Sequence, residues 1–324
     1  MIITVPISHS DAILGAMRGV ADEHGEGAAS EADARTLGAA AAIIFGRPAS
    51  DGPNAPVTGP AALALLLTDA EERRQAARFL AVMALVDGRV DEGKLGLVAR
   101  YAAALDIHDD YLAVLTETAE GEIAIAAACM IRKNNESFPG LDHTLDLMAD
   151  PIAPLLPYRD GYDDLALAAR YEALGDAPAG TFGRAFFDHF NRNGFAFPGH
   201  SNALAEGFTT PHDSSHVLAG YSTSEIGELC VSTFIGAMHP DHPMAAEVLP
   251  VIYSWHLGIK LNEIARSTTG VFEPRRFWTA WSRGEATTVD VVAPEWDFWA
   301  AVREPLEDLR RVYGIPPLDP DLAA

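Results

Sequence analysis

The chain has little cysteine, little positive charge and no long apolar run, and each shortage removes a class of protein. Only two cysteines, Cys129 and Cys230, stand in 324 residues, far apart in sequence. That excludes a disulfide framework and a cysteine-rich zinc module. Lysine and arginine number 23 against 46 aspartates and glutamates, for a net charge of -23. So acidic a surface repels phosphate backbones, so nucleic acid is not an expected partner, and broad docking on an anionic membrane is disfavoured. Contact with a membrane through a local apolar patch stays compatible with this charge. The most apolar segments, 60–67 and 123–131, are too short to span a bilayer. The opening MIITVPISHSD has no charged stretch leading into a long apolar one, so no signal peptide is expected. The expectation is a cytoplasmic protein, with peripheral contact at the inner face of the membrane as a further option.

Hydrophobic residues make up 48% of the chain, enough for packed cores. Alanine is abundant and β-branched runs are short, which favours helix over strand. The length exceeds one typical domain. The sequence therefore predicts an all-α protein with two helical domains, each a multi-helix bundle: residues 1–135, a linker at 136–160, and residues 161–324.

Helices are expected over 9–23 and 30–46, each opening with serine and an acidic first turn. Residues 47–59, RPASDGPNAPVTG, read as a loop. A longer helix follows over 69–86, where Phe79, Met83 and Val86 recur at helical spacing. It breaks at Asp87-Gly88-Arg89-Val90-Asp91, before helices at 92–105 and from His108 onward. The acidic break is not a calcium loop: counted from Asp87, the third position is Arg89 and the twelfth is Val98, where an EF-hand needs oxygen ligands. It reads as a solvated turn. Prolines crowd 134–160, which marks the junction. Beyond it, helices are expected over 162–174 and 180–195. The second carries Phe182, Phe186, Phe187 and Phe190, either as core packing or as the wall of a greasy pocket.

The chemistry concentrates in residues 211–230, PHDSSHVLAGYSTSEIGELC. Pro211 suits the first position of a helix. His212 and His216, four apart, share a helix face and can reach one ion. Gly220 suits the left-handed position that ends a helix. Ser222-Thr223-Ser224-Glu225 fits a capping box, with Ser222 as cap and Glu225 bonding back, so a second helix is expected from about 223. On one continuous helix His216 and Glu228 would lie roughly 18 Å apart. A reversal at Gly220-Tyr221 can return Glu228 to the histidines, with Gly227 allowing close approach of the two helices. Asp213, about 100° round the helix from His212, could ligate from the edge or orient a histidine. The expected metal set is thus His212, Asp213, His216 and Glu228. Two imidazoles with one or two carboxylates suit zinc first, and iron or manganese as alternatives. A histidine pair at this spacing is also a common polar surface pair.

HDSSHVLAGYSTSEIGE resembles the signature of the coenzyme Q (ubiquinone) biosynthesis family known as the fourth Coq member: His-Asp-x-x-His, eleven residues, then Glu. The matching positions are His212, Asp213, His216, Leu218-Ala219-Gly220, Thr223 and Gly227-Glu228. GTFGRAFFDHF at 180–190 and EWDFWAAVREPLEDLRRVYGIPP at 295–317 resemble further segments of that family, so the likeness covers about 160–318. The approach to the first histidine, GFTTP at 207–211, departs from the tyrosine- and arginine-containing form usual there. Residues 69–131 resemble a TerB-like tellurite-resistance helical domain, carried by an alanine-rich helix, the turn DGRVDEGKL and Leu105-Asp106-Ile107. That fusion is a second departure from the usual single-domain form.

The resemblance implies an enzyme that removes the ring carboxyl of a polyprenylated aromatic acid, coupled to hydroxylation at the same carbon. A metal with an open position would stabilise the developing charge, and Asp213 or Glu225 would carry protons. No flavin or nicotinamide fingerprint is visible, so oxygen or a partner enzyme would supply the electron acceptor. Phe186, Phe190 and Trp255, with Leu257 and Ile259, are candidates to line the prenyl site, and each also reads as plain core. Expected partners are a prenylated aromatic or quinone lipid and other biosynthetic proteins, and a homo-oligomer is compatible with the sequence. The rival reading is a non-catalytic prenyl-lipid-binding scaffold, with the TerB-like half recruiting other enzymes. His239-Pro240-Asp241-His242-Pro243 reads as a turn, Cys230 as a small apolar filler, and Trp278, Trp281, Trp296 and Trp299 as helix packing or the rim of an opening toward a membrane.

Overall fold

The structure, a computed structural model, describes residues 7–23, 28–141, 153–159, 161–261 and 266–323. Among these the chain is all α, with no strand and only three isolated β-bridges. The first part holds α1 (Ser10–Ala21), α2 (Glu31–Ile43), α3 (Asp51–Asn54), α4 (Pro60–Leu66), α5 (Ala70–Met83), α6 (Glu92–Leu105), α7 (Tyr111–Ala119) and α8 (Ile123–Ser137). The second holds α9 (Leu165–Glu172), α10 (Phe182–Asn193), α11 (Glu206–Ala219), α12 (Glu225–Met238), α13 (Leu249–Trp255), α14 (Pro274–Ala286), α15 (Phe298–Ala301) and α16 (Leu306–Val312). Between α12 and α13 the backbone widens into a π-helical turn, Pro243–Val248. Of the expected linker, residues 142–152 and 160 lie outside the described residues. The segment 47–59, expected as loop, contains the short α3.

Side-chain oxygens start most of the longer helices by taking backbone N–H groups that have no intrahelical partner. Ser30 and Asp33 form a reciprocal capping box on α2. Asp69, Asp91, Thr181 and Glu273 cap α5, α6, α10 and α14. The acidic turn before α6 also has an internal cation. Lys94 Nζ, buried, lies 3.1 Å from both carboxylate oxygens of Asp33 and 2.8 Å from Asp87 Oδ2.

Two apolar cores form, and they do not divide at residues 136–160. One combines α1, α2 and α5–α8 with Leu229, Val248, Leu249, Tyr253, Phe277, Trp278 and Trp281. The other joins Phe138 and Tyr171 to the aromatics of α10, to Phe298 and to Val231, Phe234 and Ile235. α12 and α14 therefore carry one core on each side. They touch backbone to backbone: a Cβ added at Gly284 would lie 2.3 Å from the Phe234 carbonyl oxygen. Polar contacts tie α14 to the first part, with Gln75 of α5 donating to Glu285 at 3.0 Å and Trp278 Nε1 to the Thr36 carbonyl of α2 at 3.2 Å. Trp296 and Trp299 are partly buried on the second core, and Arg170 stacks over Trp299. No helix among the described residues is long and apolar enough to cross a membrane.

Candidate metal centre

α11 starts at Glu206, so Pro211 lies inside the helix rather than at its first position. A proline there removes one intrahelical bond to the residue four before it. That residue, Gly207, sits in an antiparallel bridge with Gly140. At the other end Gly220 adopts φ +80° and closes α11, as its sequence position implies.

The chain then reverses within a few residues. The Ser222 hydroxyl accepts from the Ser224 amide at 3.2 Å, and the Ser224 hydroxyl accepts from Gly227 N–H at 3.2 Å. The cap of α12 is therefore Ser224, not Ser222, and the helix starts at Glu225 rather than 223. A Cβ on Gly227 would fall 2.0 Å from the Ser222 carbonyl oxygen. The turn itself requires this glycine, rather than the approach of α11 to α12.

The reversal returns Glu228 to the histidines. His212 Nε2 lies 3.4 Å from Glu228 Oε2, and His216 Nε2 lies 3.4 Å from Glu228 Oε1. One ligand atom from each of the three residues falls within 4.8 Å of the others. Direct charge-assisted N–H···O bonds close to about 2.7–2.9 Å. Each imidazole here faces a different oxygen of Glu228 and stands beyond that range. His216 is set for a ligand's role. Its Nδ1 donates to the Tyr221 carbonyl at 3.1 Å, which leaves the lone pair on Nε2, and that buried Nε2 has no hydrogen-bond partner. The donor set and the orphaned nitrogen fit a divalent cation. Glu228 also sits in the first turn of α12, where the helix dipole favours a carboxylate.

Burial opposes ionisation of Glu228, but the two imidazoles beside it outweigh burial and hold its carboxyl well below the usual carboxylate range. Burial likewise opposes protonation of His212, and the adjacent Glu228, with Asp213 adding, raises it above its ordinary value.

Asp213 stands apart from this group. It is buried, and its Oδ1 lies 2.8 Å from His189 Nε2 on α10. The His189 ring stacks on His216, centroid to centroid 5.4 Å. Asp213 thus ties α11 to α10 and positions the ring that backs His216. His189 escaped the sequence reading because its partner is distant in sequence and it sits among the aromatics of α10. Its one signal is a polar residue on the face that carries Phe186 and Phe190.

His212 and Glu228 open onto a cavity of about 900 Å³, lined also by Asp213, Glu225, Phe190, Phe208, Val251 and Trp255, while His216 is buried behind them. Met130, Ile131 and Asn134 of α8 also line it, so the N-terminal half supplies part of the wall. Phe190 and Trp255, candidates for the prenyl site, are among the lining residues. Phe186 does not line the cavity: it is fully buried, packed on Phe190 at 4.8 Å and Phe298 at 4.9 Å. Leu257 and Ile259 pack, partly buried, against the first core. Glu225 is exposed at the cavity wall.

Elsewhere, His239 Nδ1 pairs with Asp290 at 2.7 Å, and His242 Nδ1 pairs with Asp110. Burial pushes the Cys230 thiol up to about 12, which leaves it a filler. Among the described residues, His212, His216 and Glu228 are the one set of three or more such side chains whose ligand atoms converge. No family model matches the chain, and no curated protein matches it.

Proposed function

We propose that the protein is a divalent-cation-dependent enzyme acting on an amphipathic aromatic acid of quinone biosynthesis. The observation that carries this reading is the convergence of two imidazoles and one carboxylate, with His212 and Glu228 at the wall of a cavity of about 900 Å³ that also has an apolar lining. Three protein ligands leave a coordination position free, the mark of a catalytic rather than a structural site. Zinc suits the donor set best, with iron or manganese as alternatives. A bound cation would polarise a ligand oxygen and stabilise negative charge on it.

The chain's own residues account for the rest. His212, His216 and Glu228 hold the cation. The Tyr221 carbonyl fixes the His216 ring, and Asp213 acts through His189 as a positioning residue. Phe190, Phe208 and Trp255 enclose an apolar tail. Glu225, exposed at the wall, exchanges protons with solvent. The resemblance of the HDSSH segment to the coenzyme Q family supports replacement of a ring carboxyl by hydroxyl. With water as the oxygen source, that reaction releases carbon dioxide, two protons and two electrons, so it needs a two-electron acceptor, either dioxygen or a partner protein.

The test is turnover of 3-geranyl-4-hydroxybenzoate by the zinc-, iron- or manganese-loaded chain, followed as carbon dioxide release, against Glu228→Ala. Loss of release with retained fold supports an enzyme. Equal binding of the probe by both proteins, with no release by either under dioxygen, would instead support a lipid-binding scaffold.

A further inference from the structure

The cavity holds a second polar feature that the triad does not use. Glu247 lies in the π-helical turn Pro243–Val248, is 2% exposed and lines the same cavity as Glu228. Its Oε1 has no hydrogen-bond partner. A buried carboxyl left unpaired is costly, and π turns within helices are frequent at functional sites. Its place is fixed from α12. A Cβ added at Gly236 would lie 3.1 Å from Glu247 Cβ. Gly236 follows Glu228 by two turns on one face of α12, and Ser232, which also lines the cavity, lies between them. Eight residues of helix, ~12 Å of rise, separate the backbones of Glu228 and Gly236, beside which Glu247 packs.

We propose that Glu247 is a ligand-binding residue whose carboxylic acid donates a hydrogen bond to a second oxygen of the ligand, while the first oxygen meets the cation at His212, His216 and Glu228. This deepens the proposed function and rests on it. The separation suits an aromatic ring bearing oxygens at both ends, with Ser232 along its edge.

A donor role requires a neutral acid, and the surroundings supply one. Burial pushes the Glu247 carboxyl up to about 8, against an opposing effect from His239. His239, at the end of α12, is itself held by Asp290. The charged groups on the other helices packed here pair among themselves: Asp110 of the α7 cap with His242, and Lys133 with Asp110 and Glu136 on α8. Asn134 of α8 donates to the Ala246 carbonyl rather than to Glu247.

The experiment uses the full chain loaded with zinc, and 3-geranyl-4-hydroxybenzoate as probe, by titration calorimetry. Glu247→Gln keeps a donor but cannot ionise; Glu247→Leu removes it. Glu247→Leu should bind the probe about tenfold more weakly, and Glu247→Gln should bind like the parent near neutral pH. As pH rises through 8, the parent should lose affinity relative to Glu247→Gln. An infrared band of a protonated carboxyl, absent from both variants, should shift when the probe binds. Equal or tighter probe binding by Glu247→Leu, or an unmoved band, overturns the assignment, as does a parent chain that binds zinc but not the probe. A parent chain that binds none of zinc, iron and manganese overturns the proposed function beneath it, and this inference with it.

Discussion

Replacing Glu247 with glutamine should change how stability depends on pH more than it changes stability at any one pH. The folded chain holds this carboxyl protonated up to about 8, against an ordinary value of 4.5. Between those values the unfolded chain releases a proton that the folded chain keeps. Stability then falls as pH rises, by about 1.4 kcal/mol per pH unit. The stabilising contribution is complete below 4.5 and is lost as pH climbs through the folded value. From pH 5 to 8 this amounts to about 4 kcal/mol, a large part of a typical folding free energy. Glu247→Gln has no such slope, while the histidines that titrate in the same range are common to both proteins. Urea unfolding at pH 5, 6.5 and 8, with chelator present, should show the variant gaining about 4 kcal/mol on the parent across the range, or roughly 6 °C in Tm. A difference that stays constant with pH would refute a buried neutral acid at this position.

Other perturbations have defined outcomes. Lys94→Met leaves Asp33 buried without its cation and should cost about 3–5 kcal/mol in urea unfolding; adding Asp33→Asn should recover most of that loss. Gly220→Ala meets only ordinary contacts, with Arg310 Nη2 at 3.7 Å and Leu318 at 3.8 Å, so its cost is the left-handed backbone alone, about 1–2 kcal/mol. Zinc affinity, measured by competition with a chromophoric chelator, should also drop about tenfold or more, because the neighbouring Tyr221 carbonyl orients His216. Val251→Trp places bulk at the cavity wall, so it should block probe binding in calorimetry and leave zinc binding intact.

The helices of the first half were readable in the sequence because their signals are local: apolar spacing in α5, Ser30 before α2, and the breaker at Asp87-Gly88. The return of Glu228 was readable for the same reason, since Gly220 can end a helix and a serine-rich turn can start another. What the sequence could not supply was anything set by contacts between distant segments. Asp213 reads as a ligand or as the orienter of a histidine, and the sequence does not show that the histidine it meets is His189 of α10, 2.8 Å away. Phe186 reads as pocket lining until Phe298 covers it. The caps differed by small steps: Ser222, Thr223 and Ser224 offer three hydroxyls in a row, and the one that caps depends on the tightness of the turn at Gly227. Pro211 lies mid-helix, five residues beyond the start of α11, where the sequence offered it as a first position. Glu247 did leave a trace, as the lone charge in the apolar run PMAAEVLPVI. Interpreting that trace required knowing that a cavity lies in front of it.

The most direct test of the account is a zinc titration of chelator-stripped protein, read by calorimetry and elemental analysis. The account predicts one cation per chain, lost in Glu228→Ala and in His216→Ala and retained in Asp213→Asn. Stoichiometric zinc binding that survives Glu228→Ala, or a parent chain that binds none of zinc, iron and manganese, would contradict it.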